Sequence, residues 1–226
     1  MEKLYFLRHG EAKSNVEGHT GGYATGLTDE GKAQAQKISG LIAEHKIDKI
    51  VTSNMLRAQQ TAIRVKEGIE SPIPIERDHR LQEISLGKNN NTPYSELPKD
   101  FVTNAKEYSA ETLQDVYTRA SHVMNDLKKD SSGNILVVAH GLILEALTYC
   151  ACNDKLDKEK FREHLTGMGN VAFGVIDMGL PQAERKVELI SNEYGQDKDK
   201  QRAKMMPAVD ALPERKPNKK VDPNLR

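Results

Sequence analysis

The sequence predicts an α/β protein, a three-layer sandwich whose mostly parallel central sheet is flanked by helices. Two observations predict it. Short apolar runs alternate along the chain with amphipathic helical stretches, which is the βα repeat that builds parallel sheets. Those runs are continuously apolar rather than alternating, as strands covered on both faces require.

The elements follow in order. Lys3 to Leu7 reads as a buried strand that gives way to Arg8-His9-Gly10-Glu11. After a long loop, Thr28 is placed to cap a helix with Asp29 and Glu30 in its first turn and Ala35, Ile38, Leu41 and Ile42 along one face. KIVTS, Lys49 to Ser53, is a second strand, and the helix NMLRAQQTAIRVKEGI begins at once after it. Ile73 to Glu76 and Asn134 to Ala139 are further strands, the latter followed by a helix from about Leu142. Between them Ser95 to Asn104 is ambiguous, whereas AETLQDVYTRASHVMNDLKK places Leu113, Val116, Tyr117, Ala120 and Met124 on one helical side. NVAFGVIDM and KVELI read as late strands joined in a hairpin across GLPQAE.

A chain of 226 residues suits one domain, which we place at 1–190. From Ser191 to Arg226 the apolar periodicity stops, and prolines mix with Lys, Asp and Asn in modest basic excess. This stretch reads as a disordered basic tail. No internal repeat is visible. Thirty-three basic residues cancel thirty-three acidic ones, so no net field draws the protein to nucleic acid or an anionic membrane, and any anion recognition must be local. Cys150 and Cys152 share one helix and read as unbridged thiols in a reducing compartment. The apolar run Leu4 to Leu7 is too short for a signal peptide, and His140, Gly141 and Glu145 interrupt the longer one, so a soluble cytoplasmic protein is expected.

In such sheets ligands collect outside the C-terminal ends of the strands. The first strand delivers Arg8 and His9 there, the second Ser53 and, one helical turn on, Arg57, and the Asn134–Ala139 strand delivers His140 and Gly141. Singly each has an ordinary explanation: a loop histidine, an exposed helix arginine, a helix cap. Together, two guanidiniums and two imidazoles suit a phosphoryl group, whose charge is spread over oxygens that planar forks can grip. Neither a Walker loop nor a metal-binding carboxylate cluster is present, so one imidazole is expected to be the nucleophile, kept neutral by the neighbouring arginines. His9 is the better nucleophile candidate and His140 the better oxygen clamp.

Five motifs in this order resemble the histidine phosphatase superfamily, in the branch of the cofactor-dependent phosphoglycerate mutases and related phosphatases. They are Arg8-His9-Gly10-Glu11 with Asn15, Thr20-Gly21 followed by Leu27-Thr28 and Gly31, SNMLRAQQTA with Arg57 and Gln60-Thr61, LQEISLG with Glu83, and His140-Gly141. The resemblance covers about Lys3 to Ile190. It implies a phosphohistidine at His9, with Arg8, Arg57 and His140 binding phosphoryl oxygens and Glu83 as the general acid that later activates water. It further implies phosphate or substrate contacts at Asn15, Thr20, Gly21 and Gly141, and neither a metal nor a cofactor. Glu83 is assigned by resemblance alone, since no spacing selects it. Glu11 is read as orienting the histidine or its loop.

The chain also departs from the pattern. Many relatives carry Trp and Asp where Gly22 and Ala24 stand, and a Gly-x-x-Glu-Gly segment where this chain has GKNNNTPYSELP. Mutases of the branch carry a longer insertion with paired arginines, and Asn where Leu142 follows His140-Gly141, so the resemblance favours hydrolysis over mutation. The implied enzyme is a histidine acid phosphatase-type phosphomonoesterase, with a phosphoglycerate mutase as alternative and a catalytically silent phospho-ligand binder as an alternative of another class. The expected partner is a small phosphorylated substrate, because Asn89 to Asp130 is placed to cover part of the pocket. A homodimer is compatible with the sequence, which leaves the oligomeric state open.

Overall fold

The computed structural model describes residues 1–69, 72–100, 104–130, 133–165 and 167–192. Its elements are β1 (Lys3–Arg8), α1 (Lys13–Glu17), α2 (Asp29–Ala43), β2 (Lys49–Ser53), α3 (Leu56–Glu67), β3 (Ile75–Asp78), α4 (Leu113–Lys129), β4 (Asn134–Ala139), α5 (Gly141–Cys152), α6 (Lys158–His164), β5 (Phe173–Asp177) and β6 (Glu188–Ser191). The strands form one sheet in the order β3-β2-β4-β1-β5-β6. Pairing is parallel from β3 to β1, and antiparallel between β1 and β5 and between β5 and β6.

Side chains alternate across a strand, and β1 divides accordingly. Leu4 and Phe6 enter one core with Val137, Val116, Val123 and Leu147, and so meet α4 and α5. Tyr5 and Leu7 enter the other with Ile38, Ile42, Ala62 and Val65, and so meet α2 and α3. Truncating Phe6, which is fully buried, would cost about 3–5 kcal/mol. The three-layer arrangement matches the fold class expected from the βα repeat.

Several differences have physical causes. The third strand starts at Ile75 rather than Ile73, because Pro74 has no N–H to offer the ladder and takes part only through its carbonyl, which accepts from Ile50 N at 3.0 Å. Ser191 belongs to β6, paired with Phe173 across an irregular step, so order extends one residue past the expected boundary. Of the expected tail, 191–226, residues 193–226 lie outside the described residues. The short helices α1 and α6 were not expected; α1 spans only five residues and ends on Gly18 in the left-handed region. Cys150 and Cys152 are free thiols on α5. Among the described residues no helix is long and apolar enough to cross a membrane.

Candidate active site

The parallel register sets Arg8 opposite Ala139, so the next residues, His9 and His140, leave the sheet side by side. Their ring centroids are 5.0 Å apart at 60°, and both side chains are buried. His9 Nδ1 lies 2.7 Å from the carbonyl of Gly10, which assigns the ring proton to Nδ1 and leaves Nε2 with its lone pair. Arg57 Nε donates to that Nε2 at 3.2 Å.

The loop carrying His9 is fastened on three sides. Gly10 N donates to Thr61 Oγ1 at 3.1 Å. A Cβ on Gly10 would fall 2.4 Å from the carbonyl oxygen of Gly31, and one on Gly31 would fall 2.0 Å from that of Glu11, so two glycines let this loop run against the start of α2. Thr28, which caps α2 as expected by accepting from Gly31 N at 2.9 Å, donates to Glu11 Oε1 at 2.7 Å. The Glu11 carboxylate is therefore held on Thr28. On the third side the carbonyl of His9 accepts from Asn170 Nδ2 at 3.2 Å and Val171 N at 3.3 Å. Val171 adopts φ 48°, a conformation that costs a β-branched residue about 1–3 kcal/mol.

Arg57 enters from the start of α3, with Nη1 donating to Gly22 O at 2.9 Å. Arg8 Nη1 donates to Met168 O, while Arg8 Nε is buried without a partner. His140 Nε2 lies 2.9 Å from Ser53 Oγ. Ser53 Oγ also accepts from Met55 N at 3.3 Å, and we assign its hydroxyl proton to His140 Nε2, which puts the His140 proton on Nδ1. That Nδ1 is also buried without a partner. Burial first, then the charges of Arg57, His140 and Arg8, holds the pKa of His9 well below the ordinary imidazole value, against the bond to Gly10. Burial, then the charges of Arg57, Arg8 and Arg119, acts likewise on His140. Burial lowers Arg57 to about 10, with Glu83 opposing.

Glu83 lies in the irregular stretch after β3. Its Oε1 accepts from Ile84 N at 3.0 Å and its Oε2 from Leu142 N, in the first turn of α5, at 3.4 Å. A Cβ on Gly141 would sit 3.8 Å from both Arg8 Cζ and Glu83 Oε2, so Arg8, Glu83 and Gly141 converge. Gly21 backs onto Arg57, whose Nη1 would be 3.2 Å from an added Cβ. Asn15 Oδ1 accepts from Ala12 N at 3.0 Å and from Asn170 Nδ2 at 3.4 Å. Thr20 Oγ1 donates to Asn89 O at 2.7 Å and accepts from Thr92 N at 2.9 Å, so its hydroxyl clasps the 18–24 loop to the 89–94 segment. Among the described residues no cluster of three His, Cys, Asp or Glu side chains is placed to hold a metal.

Three contributors had no role in the sequence reading. Asn170 precedes β5, and because β5 runs antiparallel to β1, its starting end meets the finishing end of β1; a polar residue entering the late hairpin was the available signal. Ser53 was placed at the sheet edge without a partner. Tyr94 comes from the stretch GKNNNTPYSELP, and its phenol lies within the fields of Arg8, Glu83 and Arg57; burial, the largest influence, raises its pKa.

The chain matches the family model described as the histidine phosphatase superfamily (branch 1) over residues 4–179. A protein of Hydrogenobacter thermophilus with a provisional phosphoserine phosphatase name is 27% identical over 158 residues, 65% of this chain and 77% of that one. A Bos taurus 6-phosphofructo-2-kinase/fructose-2,6-bisphosphatase 3 is 29% identical over 167 residues, 69% of this chain but only 33% of that longer protein. A solved mycobacterial glucosyl-3-phosphoglycerate phosphatase with VO3 shares the fold at a TM-score of 0.70 and 22% identity, over 84% of this chain and 98% of that one.

Proposed function

The chain belongs to the histidine phosphatase superfamily and acts as a phosphatase, and on that premise we propose that it hydrolyses small phosphate monoesters without a metal, through a phosphohistidine at His9. One observation carries the reading: Arg8 Nε is a buried donor without a partner, and so is His140 Nδ1, whose ring lies against that of His9. A buried unpaired donor costs about 1–3 kcal/mol, and a phosphoryl group seated there would satisfy both.

In the proposed first step His9 Nε2 attacks phosphorus in line as the bond to the leaving oxygen breaks. Arg57 shifts from Nε2 to a phosphoryl oxygen, Arg8 and His140 hold the others, and Glu83 supplies the leaving oxygen with its proton. In the second step water attacks phosphorus, Glu83 takes its proton, and His9 is restored with phosphate released. The developing charge is neutralised by guanidiniums, which is why no metal is required.

The acid-phosphatase subtype belongs to the same proposal. His9 attacks only when neutral, and its lowered pKa keeps it neutral below the usual imidazole range, so the acid limb of kcat/KM should fall under pH 6.5. The proposed partner is a small phosphorylated metabolite, supported by the Thr20 clasp that brings the 89–94 segment to the site. A cytoplasmic setting with no cofactor is part of this reading. Phosphoserine and glucosyl-3-phosphoglycerate, named for two of the similar proteins, are the first candidates to assay.

Rapid quenching with phosphate-labelled substrate tests the intermediate. The label should survive alkali, be lost in acid, and vanish in His9→Ala, while chelator leaves turnover unchanged. Acid-stable label, or dependence on added magnesium or zinc, would end the proposal.

A further inference from the structure

Arg119 has no place in the chemistry above, yet three of its hydrogen bonds go to one short stretch of chain and the other two to Glu111. Nη1 donates to the carbonyls of Arg80 and Gln82, both at 2.7 Å, and Nη2 donates to the carbonyl of Glu83 at 3.3 Å. Nε and Nη2 also form a forked pair with Glu111, at 2.7 Å to Oε1 and 2.9 Å to Oε2. Glu111 reaches the other side of Glu83. Its Oε2 accepts from Ser85 N at 2.8 Å, and its own N donates to Ser85 O at 2.8 Å. Both side chains are largely covered, at 17% and 26% exposure.

Residues 82–86 lie outside the sheet, so no ladder fixes their backbone. Besides the bonds from Gln82 N to His79 O and from Leu86 N to Asn90 Oδ1 at its two ends, the segment is held by this pair, carried on α4 and the turn before it, with α4 anchored in the core by Val116, Ala120 and Val123. Carbonyls on one side of Glu83 and an amide on the other are held at once, which leaves the Glu83 side chain little freedom beyond its own torsions.

We infer that Arg119 and Glu111 are positioning residues that hold Glu83 at the distance proton transfer to the leaving oxygen requires. The inference rests on Glu83 being the acid. A displacement near 1 Å at a reacting group can cost about 10²-fold, and general acid catalysis contributes about 10²–10⁴-fold, so the effect is large enough to measure. Its signature is dependence on the leaving group. An alkoxide needs the proton, whereas p-nitrophenolate departs unaided.

Arg119→Lys keeps the charge and loses the fork. Its burst rate should fall about tenfold or more with an alkyl phosphate and less than about threefold with p-nitrophenyl phosphate, with KM little changed. In a Glu83→Gln background the same substitution should add no further alkyl-specific loss, since the two act as one unit. Glu111→Gln, which keeps the shape and one acceptor, carries the same comparison where Arg119→Lys folds poorly. Equal losses on both substrates in the Arg119 and Glu111 variants, beside an alkyl-specific loss in Glu83→Gln, would overturn the positioning role alone. An equal loss in Glu83→Gln itself would overturn the acid reading, and the inference with it.

Discussion

The proposed phosphate clamp and the proposed acid are held by different means. Arg8, His9 and His140 stand at the ends of paired strands, and Arg57 in the first turn of a helix that leaves another strand end, so sheet register sets their spacing. Glu83 hangs in irregular chain beyond a strand and is placed by side chains from another helix. The sheet half should tolerate little and affect every substrate alike, whereas the loop half should alter selectivity before it alters stability.

The largest effect expected is on the sheet side. Arg57→Ala should reduce the burst by about 10²–10³-fold with alkyl and aryl phosphates alike, because the guanidinium stabilises charge in transfer whatever leaves. A loss confined to alkyl esters would place Arg57 with the acid and break the comparison.

A smaller effect is expected where the loops meet. Thr20→Val removes the hydroxyl that joins the 18–24 loop to the 89–94 segment, leaving Asn89 O and Thr92 N short of a partner. KM should rise several-fold, by roughly the effect of one lost buried hydrogen bond, while the burst at saturation stays close to that of the parent. A fall in the saturated burst instead would mean that the clasp also holds the clamp.

The smallest effect is on stability in acid. His9 and His140 have folded pKa values below their unfolded one, so below about pH 6.5 the unfolded chain binds protons that the folded chain refuses. Stability is therefore complete above that pH and declines as pH falls. The thermal midpoint should drop between pH 7.5 and 5, and less steeply in His140→Gln. An unchanged slope in that variant would remove His140 from the buried neutral pair.

The sequence reading found what strand ends determine. Arg8, His9, Arg57 and His140 could be named because a parallel sheet gathers the ends of its strands on one edge, and Thr28 because capping is local. Glu83 was reached only by resemblance, since its place depends on Arg119, 36 residues downstream, and no local pattern marks such a contact. Asn170 was missed because the reading followed the ends of parallel strands, while β5 brings its beginning to the same edge. Pro74 explains the late start of β3 and was visible throughout.

The position of β1 has a consequence for how the molecule is made. Its two neighbours in the sheet are β4, beginning at Asn134, and β5, beginning at Phe173, so β1 leaves the ribosome well before either of its partners. Until then Leu4 to Leu7 is an apolar ribbon with both hydrogen-bonding edges open, the kind of segment on which nascent chains aggregate. Such distant pairings also slow folding, because the closure of long loops precedes any contact that rewards it. The surroundings of His9 are therefore completed late, when β4 brings His140 beside it and Asn170 and Val171, at the entry to β5, close on its carbonyl.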